Sequence, residues 1–132
     1  MVRFAIPYPD TKKGRADWNR RFGLNAYYSG KHWAVRKEDA DYWHLLVSAE
    51  MNRQKVTKTP FDGPVDIRIR FNDKLDIDNH SAMAKMIIDA MKGRVIVDDS
   101  RKYVKRLTQE FHDEDYILVE VVAYGEKETD VA

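Results

Sequence analysis

The 132-residue chain contains no cysteine. That excludes disulfides, zinc–thiolate centres and cysteine nucleophiles, and it suits a reducing compartment. No apolar run approaches the roughly 20 residues that cross a bilayer. The segment Met1–Pro7 is too short for a signal peptide and reads as a strand. Glycine and proline are sparse, at six and four. There is no repeat, no low-complexity tract and no interdomain linker. These absences predict one soluble cytoplasmic domain over residues 1–125, followed by a polar tail over 126–132 that frays.

Net charge is also nearly absent, at +1, but its distribution is uneven. Residues 1–39 hold nine Lys/Arg against four Asp/Glu, and residues 108–132 hold one against eight. Such polarity lets one surface attract phosphate while the whole stays near neutral, although on charge alone ordinary solvated charge is the favoured reading.

Val65, Ile67, Ile69 and Phe71 alternate strictly with polar residues, the pattern of a half-buried strand. Val2–Ile6 is a second strand, and Tyr103–Phe111 and Tyr116–Tyr124 are two more, joined by a hairpin turn at His112–Asp115. Helical spacing appears over Glu38–Met51, through Trp43, Leu46 and Ala49, and over Asn79–Met91, through Met83, Ile87 and Met91. Gly93 is the stop of the second helix. Asp10–Trp33 shows no sustained period and reads as a long basic and aromatic connection. The predicted class is α+β (mixed α/β), in the order β-α-β-α-β-β, with one mixed sheet covered by two helices.

The chemistry concentrates in Asp76-Ile77-Asp78-Asn79 and Asp98-Asp99-Ser100. If the preceding strand persists, Asp76 and Asp78 share a face. Adjacent carboxylates need a compensating charge, and a hard cation such as magnesium supplies it through oxygen ligands. Asp99, or Asp98, returns across the helix as a third ligand. Lys85 lies two helical turns after Asp78, and Asp89 follows it at i+4. Spacing alone favours a plainer alternative, in which the aspartates cap a helix and Asp98-Asp99-Ser100 makes a turn.

The ordered set Asp76-x-Asp78-Asn79, Lys85-x3-Asp89-Ala90, Gly93 and Asp98-Asp99 resembles the RusA family of Holliday junction resolvases. The resemblance is strong over residues 65–107 and weaker over 2–33, where Asn25-Ala26-Tyr27-Tyr28 is similar to the family's N-terminal pattern. It implies a RusA-like homodimeric crossover-junction endodeoxyribonuclease of bacterial or phage origin. The implied cofactor is Mg2+, with Mn2+ as a substitute, and the implied partner is four-way DNA in recombination and repair. By motif, Asp76, Asp78 and Asp99 match the catalytic metal ligands, Asp98 the adjacent acid and Lys85 the catalytic lysine. Relative to the best-known members, three extra residues precede Lys85. They keep its facing but move it about 4.5 Å along an unbroken helix.

Basic residues Lys12, Lys13, Arg15, Arg20, Arg21 and Lys31 interleave with Trp18, Tyr27, Tyr28 and Trp33, as a DNA-backbone surface would. Lys102 and Lys105 follow the second aspartate pair and either line the same groove or face water. His32, His44, His80 and His112 lack zinc-ligand spacing. His80 reads as an exposed residue at a helix start, with contact to phosphate or metal-bound water as the alternative. The remaining rivals are a nuclease for flaps or forks and a non-catalytic DNA-binding protein of the same fold.

Overall fold

The strict alternation after Pro64 forms strand β2, Val65–Phe71, in the computed structural model. Its four apolar side chains are buried and its polar ones lie on the opposite face. The structure describes residues 1–126, so most of the predicted tail lies outside the described residues. Strand β1 is Val2–Pro7, β3 is Val104–Phe111 and β4 is Tyr116–Ala123. They form one mixed sheet in the order β1-β4-β2-β3. Strand β4 runs antiparallel to both β1 and β2, while β2 and β3 are parallel. The mixed α+β class and the single sheet are as the sequence predicts.

The hairpin between β3 and β4 does not form. The two strands lie on opposite sides of β2, and residues 112–115 step across its end. His112 N donates to Phe71 O at 3.1 Å, and Asn72 Nδ2 donates to Glu114 O at 2.9 Å, fastening the crossing. The cause is burial. Ile117 to Val122 are buried on both faces of β4, which suits an interior strand. Strand β3 exposes Lys105, Arg106 and Leu107, which suits an edge. Turn residues mark where a chain reverses, not which strand it rejoins.

The segment predicted as a long connection is instead two helices, α1 (Lys12–Phe22) and α2 (Leu24–Tyr28). Thr11 Oγ1 accepts from Gly14 N and caps α1. Only Trp18 and Phe22 of its eleven residues are buried, too few to show a period. Those two rings pack against Trp43 with centroids 4.8 and 5.3 Å away. Helix α3 begins at Trp33 rather than Glu38 and runs to Arg53. Its core face is Asp39, Trp43, Val47 and Met51, and Leu45 is exposed. Helix α4 spans Ser81–Met91, shorter than predicted, and a 3-10 turn, Ile77–His80, precedes it. Lys85 is therefore only the fifth residue of the helix.

One core joins β1, β2 and β4 to α1, α3 and α4. Gln54, at the end of α3, closes the outer edge of β1. Its amide accepts from Ala5 N at 2.8 Å and donates to Ala5 O at 2.6 Å, as a neighbouring strand would.

Candidate active site

Strand β2 delivers the chain to a loop, the 3-10 turn and then α4, and the chain returns through Asp98 and Asp99 to β3. A parallel β-α-β unit of this kind starts its helix at the far end of the first strand and finishes it near the start of the next. Asp76 and Asp78 therefore stand at the N-terminal end of α4. Both are exposed, and neither carboxylate has a hydrogen-bond or ion-pair partner among the described residues. Asp76 occupies the cap position of the 3-10 turn, yet its side chain accepts no backbone N–H. The capping alternative thus finds no support in the geometry.

The loop that carries the pair is pinned from behind. His80 is fully buried, which removes it from contact with phosphate or metal-bound water and corrects its reading as an exposed helix residue. Its Nε2 lies 2.8 and 2.9 Å from the Asp73 carboxylate oxygens, and its Nδ1 lies 3.0 Å from Ile77 O. Both ring nitrogens face acceptors, which calls for the doubly protonated ring. Burial opposes that charge, but Asp73 outweighs it and raises the His80 pKa. Tyr8 OH donates to Asp73 Oδ2 at 3.0 Å and accepts from Asn72 N at 2.9 Å. Phe71 stacks on the imidazole with centroids 4.0 Å apart. The sequence pattern did not reveal this network, because its members are 65 and 7 residues apart and follow no period.

Asp99 sits elsewhere, toward the C-terminal end of α4. Lys92 Nζ lies 3.1 Å from its Oδ2 and 3.3 Å from Asp89 Oδ1. The Lys92 ammonium holds the Asp99 carboxyl below its usual pKa. Sequence reasoning missed Lys92, although its i+3 spacing from Asp89 is a usable signal. Lys85 is exposed, with Nζ 3.3 Å from Asp89 Oδ2. A groove of about 340 Å³ between α4 and β3 is lined by Ser81, Lys85, Asp89, Asp99, Leu107 and Gln109, among others. Gln109 Oε1 is buried there without a hydrogen-bond donor among the described residues, and buried Asp89 Oδ1 faces the Lys92 ammonium. Asp98 is half-buried beside Asp99.

The donor set is therefore all hard oxygen, with unpaired carboxylates at Asp76 and Asp78, and in kind it fits magnesium or manganese. It is not gathered in one place. Among the described residues, no three acidic or histidine side chains stand close enough to share a metal ion.

The predicted DNA-binding cations divide into two groups. Lys12, Lys13 and Lys105 are exposed and have no anionic partner among the described residues, and Lys102 is exposed over the Tyr103 ring. The others are engaged. Arg15 makes a bidentate pair with Asp115 at 2.6 and 2.8 Å, and Arg20 pairs with Asp17. Arg21 Nε donates to Asp39 at 2.8 Å, Tyr27 OH donates to the same carboxylate at 2.9 Å, and Lys31 completes the cluster. Burial pushes the Asp39 carboxyl up, but the contacts from Lys31, Arg21 and Tyr27 outweigh it and hold the pKa low.

The family model described as Endodeoxyribonuclease RusA matches residues 7–122 of the chain. No curated protein and no solved structure gives a significant match.

Proposed function

The chain belongs to the RusA family of endodeoxyribonucleases, and from that premise we propose that it is a magnesium-dependent enzyme that nicks four-way DNA junctions symmetrically in recombination and repair. The observation that carries the reading is the state of Asp76 and Asp78: exposed, partnerless and unused for capping. Two bare carboxylates on a turn braced by a buried Tyr8–Asp73–His80 network cost stability unless a ligand needs them.

Asp76 and Asp78 would hold the ion, and by motif Asp99, with Asp98 adjoining, is the third acid, although the three do not converge in this chain. When bound, a divalent metal supplies the charge that activates water and stabilises the leaving oxygen of a phosphodiester. Lys85 supplies fixed positive charge at the developing phosphate charge. Asp89 restrains the Lys85 ammonium from the next turn of α4. Lys12, Lys13, Lys102 and Lys105 contact backbone phosphates and orient the junction. A homodimer with a twofold axis would cut two opposed strands alike.

A second reading, a non-catalytic structure-specific DNA-binding protein, is favoured by the lack of three converging acids in one chain. One experiment separates the two. The protein is incubated with a four-way junction, a flap and linear duplex, with and without magnesium, beside Asp78→Asn. The nuclease reading expects magnesium-dependent nicking of the junction that Asp78→Asn abolishes. Binding without cleavage by the native protein supports the second reading, and preferential cutting of the flap moves the specificity to flaps. Nicking that persists in Asp78→Asn overturns the metal role.

A further inference from the structure

Five aromatic side chains stand in residues 18–37, and the fold uses them in two ways. Trp18 and Phe22 enter the core, and Tyr27 donates its hydroxyl to Asp39 at 2.9 Å. Tyr28 and Trp33 stay outside, at 80% and 71% exposure. One exposed ring on a surface is ordinary. Here two of them flank a short turn that the fold fastens at each residue. Ser29 Oγ donates to Ala26 O at 3.0 Å, and Gly30 N donates to Tyr27 O at 3.3 Å. Gly30 takes a φ of +89°, which suits a residue without a Cβ. Lys31 Nζ donates to Arg21 O at 2.7 Å and pairs with Asp39. His32 Nδ1 accepts from Ala34 N at 3.1 Å and starts α3. Rings carried on a fixed turn lose little freedom when they take up a ligand.

The surroundings point to the ligand. Residues 18–37 carry five Lys/Arg and no Asp/Glu. Helix α2 packs against the 3-10 turn that bears Asp78. A groove of about 480 Å³ joins the two regions, lined by Asn19, Arg20, Asn25, Ser29, Leu75 and Asn79 among others. Asn79 adjoins Asp78, and Ser29 adjoins Tyr28. The lining residues include amides, a hydroxyl and a cation, and no acid. Aromatic faces beside positive charge take unpaired bases together with their phosphates, whereas a continuous duplex offers no free base face.

We propose that Tyr28 and Trp33 form a stacking platform for unpaired bases of branched DNA, with the strand running along this groove from the Asp78 turn. The choice of DNA as ligand rests on the nuclease reading. The platform itself needs no cutting, so binding tests it apart from that reading.

The chain supplies its own probe. It has three tryptophans, and Trp18 and Trp43 are buried, so Trp33 alone is open to an aqueous quencher. Acrylamide quenching is followed in metal-free buffer as a fork, a four-way junction or a linear duplex is added. The fork and the junction should lower Trp33 emission and shield it from acrylamide, and the duplex should do neither. Tyr28→Ala and Trp33→Ala should each weaken fork binding about 5- to 150-fold, the loss of one base stack. Duplex affinity and melting temperature should not change. Trp33→Phe keeps a ring and should recover most of the loss. Fork binding that leaves Trp33 emission and acrylamide access unaltered overturns the platform, as does an equal loss of fork and duplex affinity in the alanine variants. Shielding of Trp33 that follows protein concentration without DNA assigns the rings to a contact between copies and also overturns it. Shielding by the fork without magnesium-dependent nicking supports the platform and counts against the nuclease reading instead.

Discussion

Lys92, not Lys85, is the lysine that reaches Asp99, with its Nζ 3.1 Å from Oδ2. The two lysines of α4 therefore have different relationships to the acids. Lys92 already neutralises Asp99, whereas Lys85 is 72% exposed and touches only Asp89 among the described acids. Lys85→Met should lower junction nicking about 10²–10³-fold with little change in DNA affinity, the range for losing a transition-state charge. Lys92→Met should instead lower the magnesium concentration needed for half-maximal rate, because it frees Asp99. Single-turnover nicking across a magnesium titration checks both. Equal losses in the two variants would remove the distinction.

The buried Asp39 knot predicts acid sensitivity. Its folded pKa lies below the usual carboxylate value. Its contribution is thus present above the unfolded pKa of about 3.9 and is lost as pH falls through the folded value. Asp39→Asn should be less stable at pH 7 and should lose part of the native protein's stability decline between about pH 5 and 3. Asp39→Ala should cost about 3 kcal/mol, the low end for breaking a buried pair, because Arg21 remains partly solvated. Urea unfolding at several pH values measures both effects.

The Tyr8–Asp73–His80 network predicts a large cost for deleting its centre. Asp73→Ala leaves a buried imidazole facing no anion and should destabilise by about 3–5 kcal/mol. Tyr8→Phe removes one hydrogen bond to Asp73 and leaves Asn72 N unsatisfied, and should cost about 1–3 kcal/mol. Chemical denaturation gives the order. A Tyr8→Phe loss larger than that of Asp73→Ala would contradict the assignment of Asp73 as the hub.

Phosphate contact should follow availability rather than charge. Lys12→Ala, Lys13→Ala, Lys102→Ala and Lys105→Ala should each leave stability unchanged and reduce the salt dependence of DNA binding by about one phosphate contact. Lys31→Ala should instead reduce stability, because Lys31 is committed to Asp39. Binding isotherms at several salt concentrations, paired with thermal melts, separate the two groups.

The amino-acid pattern by itself determined the strands, the α4 face of Met83, Ile87 and Met91, and the identity of the acidic residues. Each of these depends on local periodicity or on side-chain chemistry that neighbours in sequence reveal. Helix α1 escaped because two buried aromatics in eleven residues make no period, and their partner Trp43 lies beyond any local window. The pairing of β3 escaped because the burial of β4 on both faces, a property of the assembled sheet, decides which strand is interior. Tertiary structure alone buried His80 against Asp73 and joined Asp39 to Arg21, Tyr27 and Lys31. It also left Asp76, Asp78 and Asp99 without the convergence that one shared ion needs. Sequence order names the three acids, but the path of the chain through α4 between β2 and β3 decides that Asp99 meets Lys92.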